Sequence, residues 1–143
     1  MVPPFATPEE AEQAFYDALA RSDLERLMAV WADDEEIACI HPGGVCAHGH
    51  HAVRESWKAV FAHGMPSIRT GAPLVLPSVS TVVHILTERV SVKIEGTTHV
   101  AVCYATNVYH KGRSGWRMVL HHASPAPDSS DTLNPHELPD LLH

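Results

Sequence analysis

Residues 97–124 read TTHVAVCYATNVYHKGRSGWRMVLHHAS, and this stretch decides the fold. Two runs rich in valine, threonine and tyrosine flank residues 111–115, which read KGRSG. β-Branched and aromatic runs joined by a short glycine-containing segment are typical of a β-hairpin. The stretch therefore predicts two long antiparallel strands, over residues 97–110 and 116–124.

The sheet is predicted to extend towards the N-terminus from this hairpin. Residues 68–76, 81–87 and 90–95 have the same preference for valine, isoleucine and threonine. Glu95-Gly96 provides the turn between the last of these runs and residue 97. A further short strand is expected at residues 37–40, followed by a loop at Gly43-Gly44.

The first third of the chain has the periodicity of helices. Thr7 can cap a helix, Pro8 suits its first turn, and Glu10 completes a capping box. Ser22-Asp23 ends this helix and begins a second, and a third follows Gly49. Their apolar faces are Ala11, Ala14, Phe15, Ala18 and Leu19; Leu24, Leu27, Met28 and Trp31; and Val53, Trp57, Val60 and Phe61. Helices followed by antiparallel strands indicate an α+β domain.

Composition narrows the class of protein. The chain has 143 residues, of which 45% are hydrophobic, which is typical of one globular domain. A formal net charge of -7 argues against nucleic acid or an anionic membrane surface as the main partner. Residues 79–86 form the longest apolar run and are too few to cross a bilayer. Three cysteines without a CxxC pair, and no signal-peptide pattern, predict a cytoplasmic protein without a disulfide framework.

Several segments together resemble a known family. They are VWADDEEIACIHPGG, GHHAVRESWKAVF, YATNVYHK and GWRMVLHHASPAP, in that order. The chain resembles the SnoaL-like and ketosteroid-isomerase-like branch of the nuclear-transport-factor-2-like superfamily. The resemblance implies a cone-shaped, curved antiparallel β-sheet with three N-terminal helices enclosing a pocket, often in a dimer. Members include isomerases, cyclases, dehydratases and proteins without catalysis, so the fold alone does not assign a function.

The resemblance covers residues 7–127, which are expected to form the domain. Residues 1–6 are expected to be a loose leader and residues 128–143 an irregular tail. The tail's leucines could dock on a neighbour: Leu133, Leu138, Leu141 and Leu142.

Strand alternation, read with the resemblance, selects two polar residues for the pocket. The closing strand also resembles the end of the calcium/calmodulin-dependent kinase II association domain, whose pocket-facing basic residues align with Asn107 and Ala123. This places Asn107 and His121 towards the pocket, where the small Ala105 and Ala123 leave room for a ligand. The missing basic residues argue against an anionic ligand. Alternatively, Asn107 and His121 only satisfy each other in the core.

His41 is the candidate catalytic base. The resemblance aligns His41-Pro42 with an Asp-Pro in ketosteroid isomerases whose carboxylate moves the proton, and an imidazole can act as a base near neutral pH. Alternatively, His41 only ends the strand. The isomerase tyrosine that stabilises the oxyanion aligns with Phe15, which has no hydrogen-bond donor. Tyr16 is expected to point about 100° away around the helix, so a steroid-isomerase mechanism is not supported.

Two further features have alternative interpretations. Trp31 and Trp57 lie on predicted inward helix faces, where they could wall an apolar ligand pocket or belong to the core. His48, His50 and His51 form a cluster beside Cys46, but neighbouring histidines diverge and no carboxylate completes a ligand set. No metal site is therefore predicted. No nucleotide-binding motif occurs, and no cofactor is expected.

Two functional hypotheses remain. The first is a protein whose pocket binds a small apolar or amphipathic molecule, with acid–base chemistry of the isomerase, dehydratase or hydrolase type. The second is a non-catalytic binding or assembly module with a vestigial pocket. Both include a homodimer through the outer sheet face, because simple alternation makes that face apolar. Its predicted residues are Val100, Val102, Tyr104, Val108, Trp116, Met118 and Leu120.

Overall fold

The structure, a computed structural model, describes residues 5–127. The expectations for residues 1–4 and for the tail at 128–143 fall outside the described residues. The helices are α1 Pro8–Arg21, α2 Leu24–Val30 and α3 His50–His63. The strands are β1 Ala38–Ile40, β2 Cys46–His48, β3 Ser67–Thr70, β4 Leu74–Pro77, β5 Thr81–Ile94, β6 Thr97–Gly112 and β7 Gly115–Pro125.

The helix starts agree with their sequence signals. The Thr7 hydroxyl accepts a hydrogen bond from the Glu10 N–H at 3.1 Å and caps α1. Asp23 caps α2 by accepting from the Arg26 N–H at 3.0 Å. Between them, Ser22 takes a left-handed conformation with φ 50°, which ends α1 and turns the chain. The two helices therefore pack against each other, and α1 also packs on β7.

The strands form one curved sheet that does not close. Its order is β2-β1-β7-β6-β5-β3, and β4 also pairs with β5. β1 runs parallel to β7 and every other pairing is antiparallel, so the sheet is mixed rather than wholly antiparallel as predicted. The three helices and this sheet form the expected cone-shaped α+β fold.

Two strand boundaries differ from the prediction. Residues 68–76 form two strands because Gly71 and Pro73 interrupt the run, and proline has no N–H for the ladder. Residues 81–94 form one strand, because Glu88 pairs with Thr70 on one side and Cys103 on the other. The short strand β2 was not predicted.

A β-bulge in the closing hairpin reverses part of the predicted face assignment. Val108 lies opposite Leu120 and Tyr109 lies opposite Met118, so Val119 is an extra residue. The bulge turns Met118 and Trp116 inwards, where they are 0% and 8% exposed. Their predicted position on the outer face was wrong, because simple alternation does not account for the extra residue.

The core fills the space between the helices and the concave side of the sheet. Gly115 opens β7 with φ 83° and lies against the backbone of Phe5. A side chain at Gly115 would meet the Phe5 carbonyl oxygen at 2.4 Å, so glycine is required there. The largest fully buried core side chains include Trp31, Tyr109, Phe15, Leu19, Leu27, Ile37 and Met118.

Candidate functional site

A cavity of about 180 Å³ lies between α1, α3 and the concave sheet. Its wall is mostly apolar, and within residues 5–127 Glu88 supplies its single carboxylate. His41 and His121 add two imidazoles. The complete lining is Leu19, His41, Pro42, Trp57, Val60, Met65, Pro66, Ile68, Glu88, Val90, Cys103, His121 and Ala123. A small, largely apolar cavity with a few converging polar groups is typical of a ligand site.

Glu88 reaches this cavity from the middle of β5. It is buried, and its Oε2 accepts a hydrogen bond from the Tyr16 hydroxyl at 2.7 Å. Burial raises the pKa of Glu88, and the negative charge of Glu12 raises it further, against the effect of the Tyr16 hydrogen bond. The carboxyl group therefore holds its proton to higher pH than an exposed glutamate does.

His121 lies on β7, and its ring packs against two aromatic side chains. Its Nδ1 donates a hydrogen bond to Asn107 Oδ1 at 2.6 Å. Its ring centroid lies 5.0 Å from that of Phe15 and 5.8 Å from that of Trp57. Burial lowers the pKa of His121 to about 3, with smaller contributions from His41 and His122. His121 is therefore neutral at physiological pH and can accept a hydrogen bond from a ligand.

His41 follows β1 and lies edge-on to Trp57, with ring centroids 4.5 Å apart. Its Nε2 is 3.2 Å from the Ser56 hydroxyl oxygen. That hydroxyl also lies 2.8 Å from the Val53 carbonyl oxygen, and the Cys39 sulfur lies 3.8 Å from the same Nε2. A neutral imidazole carries one unprotonated nitrogen, so His41 can accept a hydrogen bond or a proton. Burial lowers the pKa of His41, which favours the neutral ring.

A buried polar network lies behind the cavity wall. Glu12 Oε2 accepts hydrogen bonds from His84 Nδ1 at 3.0 Å, Asn107 Nδ2 at 3.2 Å and the Tyr109 hydroxyl at 2.7 Å. Asn107 Nδ2 also donates to the Tyr16 hydroxyl oxygen at 3.1 Å. The network joins α1 to β5 and β6 and ends at the cavity groups Glu88 and His121.

The structure brings three of the five predicted site residues into the cavity wall: His41, Trp57 and His121. Asn107 is not in that wall but is fully buried and hydrogen-bonded to His121. Trp31 is not in that wall either. It follows the last residue of α2 with an extended backbone, φ -74° and ψ 150°, so its side chain leaves the predicted helix face and packs in the core.

Sequence reasoning missed Glu88, Glu12 and the role of Tyr16. Tyr16 does not point away from the site: its hydroxyl reaches Glu88, while the neighbouring Phe15 packs against His121. Glu88 was missed because residues 88–89 were interpreted as a break between strands. A single predicted strand through residue 88 would have placed Glu88 on the same face as Val82, His84 and Leu86, and this alternation could have identified it.

Two of the three histidines in the His48–His51 cluster have local partners. His50 donates through Nε2 to the Ala32 carbonyl, and His48 lies 3.9 Å from Glu36. Across residues 5–127, no three histidine, cysteine or acidic side chains are grouped as metal ligands would be. No helix in the same part of the chain is long and apolar enough to span a membrane.

The fold and cavity define a protein of the nuclear-transport-factor-2-like class, and solved structures of that class share the architecture. Within it, the sequence model of the SnoaL-like domain matches residues 9–129, and the chain belongs to that family. A protein from Thiobacillus denitrificans, provisionally assigned as a calcium/calmodulin-dependent protein kinase type II association domain, is 40% identical. The match has a TM-score of 0.80 and covers 87% of this chain and 99% of that one.

Two other similar proteins have different descriptions. A protein of the NTF2-like family from Streptomyces avermitilis, provisionally assigned as a dehydratase, is 26% identical, with a TM-score of 0.73 over 82% of this chain and 93% of that one. The F-box protein SKIP8 from Arabidopsis thaliana is 28% identical over 114 residues. This match covers 77% of the chain and 46% of SKIP8, so the chain spans about half the length of that relative.

Proposed function

We propose that the protein binds a small apolar or amphipathic molecule in the cavity and transfers a proton on it, in an isomerisation or a dehydration. The observation that carries the proposal is Glu88, a carboxyl group with a raised pKa in an otherwise apolar wall beside two neutral imidazoles. Raised carboxyl pKa values in a cleft are typical of acid–base sites. The provisional assignment of the Streptomyces protein as a dehydratase supports the same chemistry.

The cavity provides the parts that such a reaction needs. The Glu88 carboxylate would remove a proton from a carbon next to a carbonyl group, and the C–H electron pair would form the new double bond. The carboxyl group would then return the proton to another carbon in an isomerisation, or to a leaving hydroxyl in a dehydration. Either route leaves the protein unchanged and needs no redox cofactor. His41, whose neutral ring has one unprotonated nitrogen, is a second proton acceptor, and Trp57 forms an apolar wall.

Proton transfer can be measured before the substrate is known. Native mass spectrometry of protein purified from its own host would first detect a retained ligand. Small ketones and β-hydroxy ketones that fit about 180 Å³ would then be incubated with the protein in D₂O. Deuterium incorporation should fall by about 10²-fold or more in Glu88→Gln, the usual effect of losing a general base. Glu10→Gln, which changes an exposed glutamate of α1, is the matched control.

The same assay separates the two bases. His41→Ala should keep the fold, because this half-buried side chain contributes little to the core, and should lower the exchange rate less than Glu88→Gln. Loss of exchange in His41→Ala with full exchange in Glu88→Gln would assign the base to His41. Unchanged exchange in both variants would contradict proton transfer at this site.

A second candidate function is assembly without catalysis. Its support is the 40% identity to a protein provisionally assigned as an association domain, together with an apolar outer sheet face. Trp116 and Met118 lie in the core and do not belong to that face. Its remaining predicted residues are Val100, Val102, Tyr104, Val108 and Leu120, and Tyr104 is 43% exposed. A homodimer through these residues is compatible with either function. Failure of every exchange assay in a stable dimer would favour assembly.

A further inference from the structure

Glu12 lies at the centre of the buried polar network. Its side chain is 12% exposed, and a single oxygen, Oε2, accepts hydrogen bonds from three donors on two strands. These donors belong to His84 on β5 and to Asn107 and Tyr109 on β6. Charge-assisted hydrogen bonds of this kind are stronger than neutral ones, so Glu12 dictates how its partners are oriented.

Asn107 is the partner whose orientation matters for the cavity. A carboxylate can only accept, so it selects the NH₂ side of the Asn107 amide, and Nδ2 lies 3.2 Å from Glu12 Oε2. The Tyr16 hydroxyl, whose proton is donated to Glu88, accepts from the same Nδ2. The reversed amide would place its oxygen against the Glu12 carboxylate. The Asn107 oxygen is therefore directed to His121.

The Asn107 oxygen in turn fixes the proton of His121. An amide oxygen can only accept, so the His121 Nδ1 at 2.6 Å must be the donor. His121 is 2% exposed, and Phe15 and Trp57 pack against its ring. With Nδ1 protonated in a neutral ring, Nε2 carries a lone pair. Nε2 makes no hydrogen bond to any of residues 5–127, and His121 lines the cavity.

We propose that Glu12 is a positioning residue: through Asn107 it holds His121 in the Nδ1–H tautomer, so that Nε2 is the acceptor for a hydroxyl or N–H group of the ligand. This inference rests on the proposed ligand-binding role of the cavity and narrows the ligand to an apolar molecule with a hydrogen-bond donor. Glu12 itself is outside the cavity wall and acts at a distance of two hydrogen bonds.

The tautomer can be observed directly by long-range ¹H–¹⁵N NMR of histidine-labelled protein. In the wild type, His121 should show a protonated Nδ1 and an unprotonated Nε2. Glu12→Gln allows the Asn107 amide to reverse, so the Nε2–H form should appear. Glu10→Gln, on the exposed side of the same helix, should leave the His121 signals unchanged. An Nε2–H tautomer in the wild type, or no change in Glu12→Gln, would overturn the proposal.

A charge swap keeps the proposal testable if Glu12→Gln does not fold. In the double variant Glu12→Gln with Asn107→Asp, the carboxylate and the amide exchange places and the net charge is conserved. The carboxylate at 107 can only accept from His121, so the Nδ1–H tautomer should return. A folded double variant with His121 in the Nε2–H form would contradict the proposal that residue 12 acts on His121 through residue 107.

The ligand class is tested with phenol and toluene, which have similar shapes but differ in one hydroxyl group. Phenol should shift the His121 Nε2 resonance as its hydroxyl donates to that nitrogen, and toluene should not. Equal shifts with both compounds, or none with phenol bound, would overturn the predicted acceptor role. These NMR measurements do not involve turnover, so their failure is distinct from a failure of the deuterium-exchange assay.

Discussion

At the residue scale, burial moves the pKa values of Glu88 and His121, two of the ionisable groups of the cavity, in the directions that favour their neutral forms. Glu88 holds its proton more tightly than an exposed glutamate, and His121 holds one less tightly than an exposed histidine. In each case the largest cause is desolvation of the charged form. The cavity is therefore nearly uncharged when Glu88 is protonated, and ionisation of Glu88 creates a reactive, poorly solvated carboxylate.

The raised pKa of Glu88 predicts that this residue costs stability at neutral pH. The pKa in the folded state lies above the ordinary value of 4.5, so stability is greatest below 4.5 and falls as pH rises through the folded value. Glu88→Gln should therefore raise the melting temperature at pH 7–8, by about 2–4 °C for each kcal/mol regained. Calorimetry should show a smaller gain at pH 4, and an equal gain at both pH values would contradict the prediction.

The lowered pKa of His121 predicts the opposite pH dependence. Its folded value of about 3 lies below the ordinary 6.5, so the stability that neutral His121 provides above pH 6.5 is lost as pH falls towards 3. A single titrating group can change the free energy of unfolding by at most about 1.4 kcal/mol per pH unit. In denaturant titrations, His121→Gln should reduce the pH dependence of the free energy of unfolding between pH 3 and pH 6.5. His122→Gln changes the exposed neighbour and should alter the slope much less, because His122 makes only a smaller contribution to the lowered pKa of His121.

At the element scale, the bulge in β7 decides which residues enter the core. Residues 120–125 follow one alternation and residues 115–118 the other, and Val119 lies at the change. Trp116 and Met118 are consequently inside with Tyr109, while Val119 and Leu120 are both half-buried. The hairpin thus keeps His121 in the cavity and the large apolar side chains in the core at the same time.

Deletion of Val119 should accordingly be tolerated. It would remove the extra residue without changing the pairing of Val108 with Leu120 or of Tyr109 with Met118. We expect a folded protein with a loss within the usual range of about 0.5–3 kcal/mol. Deletion of Arg117 should be far worse, because it turns Trp116 out of the core. Thermal unfolding of the two deletion variants tests this prediction. Similar losses of stability would show that the bulge does not determine which β7 side chains face the core.

At the scale of the whole molecule, the apolar outer sheet face is the candidate surface for association between two copies of the chain. Tyr104 is 43% exposed on this face, with Val102 half-buried two residues away on β6 and Leu120 half-buried on β7 opposite Val108. Val92 and Ile94, towards the end of β5, are also exposed, but they alternate with Lys93 onto the opposite face of the sheet from Tyr104. Burial of apolar area favours association by about 25 cal/mol per Å² before the costs of ordering are subtracted.

A homodimer through this face predicts a specific response to charge. Sedimentation velocity at micromolar concentration should give a dimer for the wild type, and Tyr104→Glu should shift it to monomer. The side chain at 104 points away from the cavity, so the variant should retain cavity chemistry. Gln13→Glu is the matched control, because it adds the same single negative charge at an exposed position of α1, away from the outer sheet face. A monomeric wild type would refute the dimer.

The sequence by itself determined the class of fold. Local signals were sufficient for the helix starts at Thr7 and Asp23, and strand composition was sufficient for the hairpin of β6 and β7. Alternation grouped Asn107 with Ala105 and His121 with Ala123, because the period of a strand is local geometry, and the resemblance selected these as the inner faces. The resemblance added His41 and the position of the pocket, which no local pattern provides.

Only the tertiary structure decided which side chains meet. The bulge at Val119 and the unbroken strand through Glu88 depend on pairing with β6 and β3, and such pairings are not encoded in the strand's own residues. Glu12 and Asn107 are 95 residues apart in the chain, and their contact exists only because α1 packs across the sheet. The pKa shifts of Glu88 and His121 arise from burial, which likewise exists only in the folded chain.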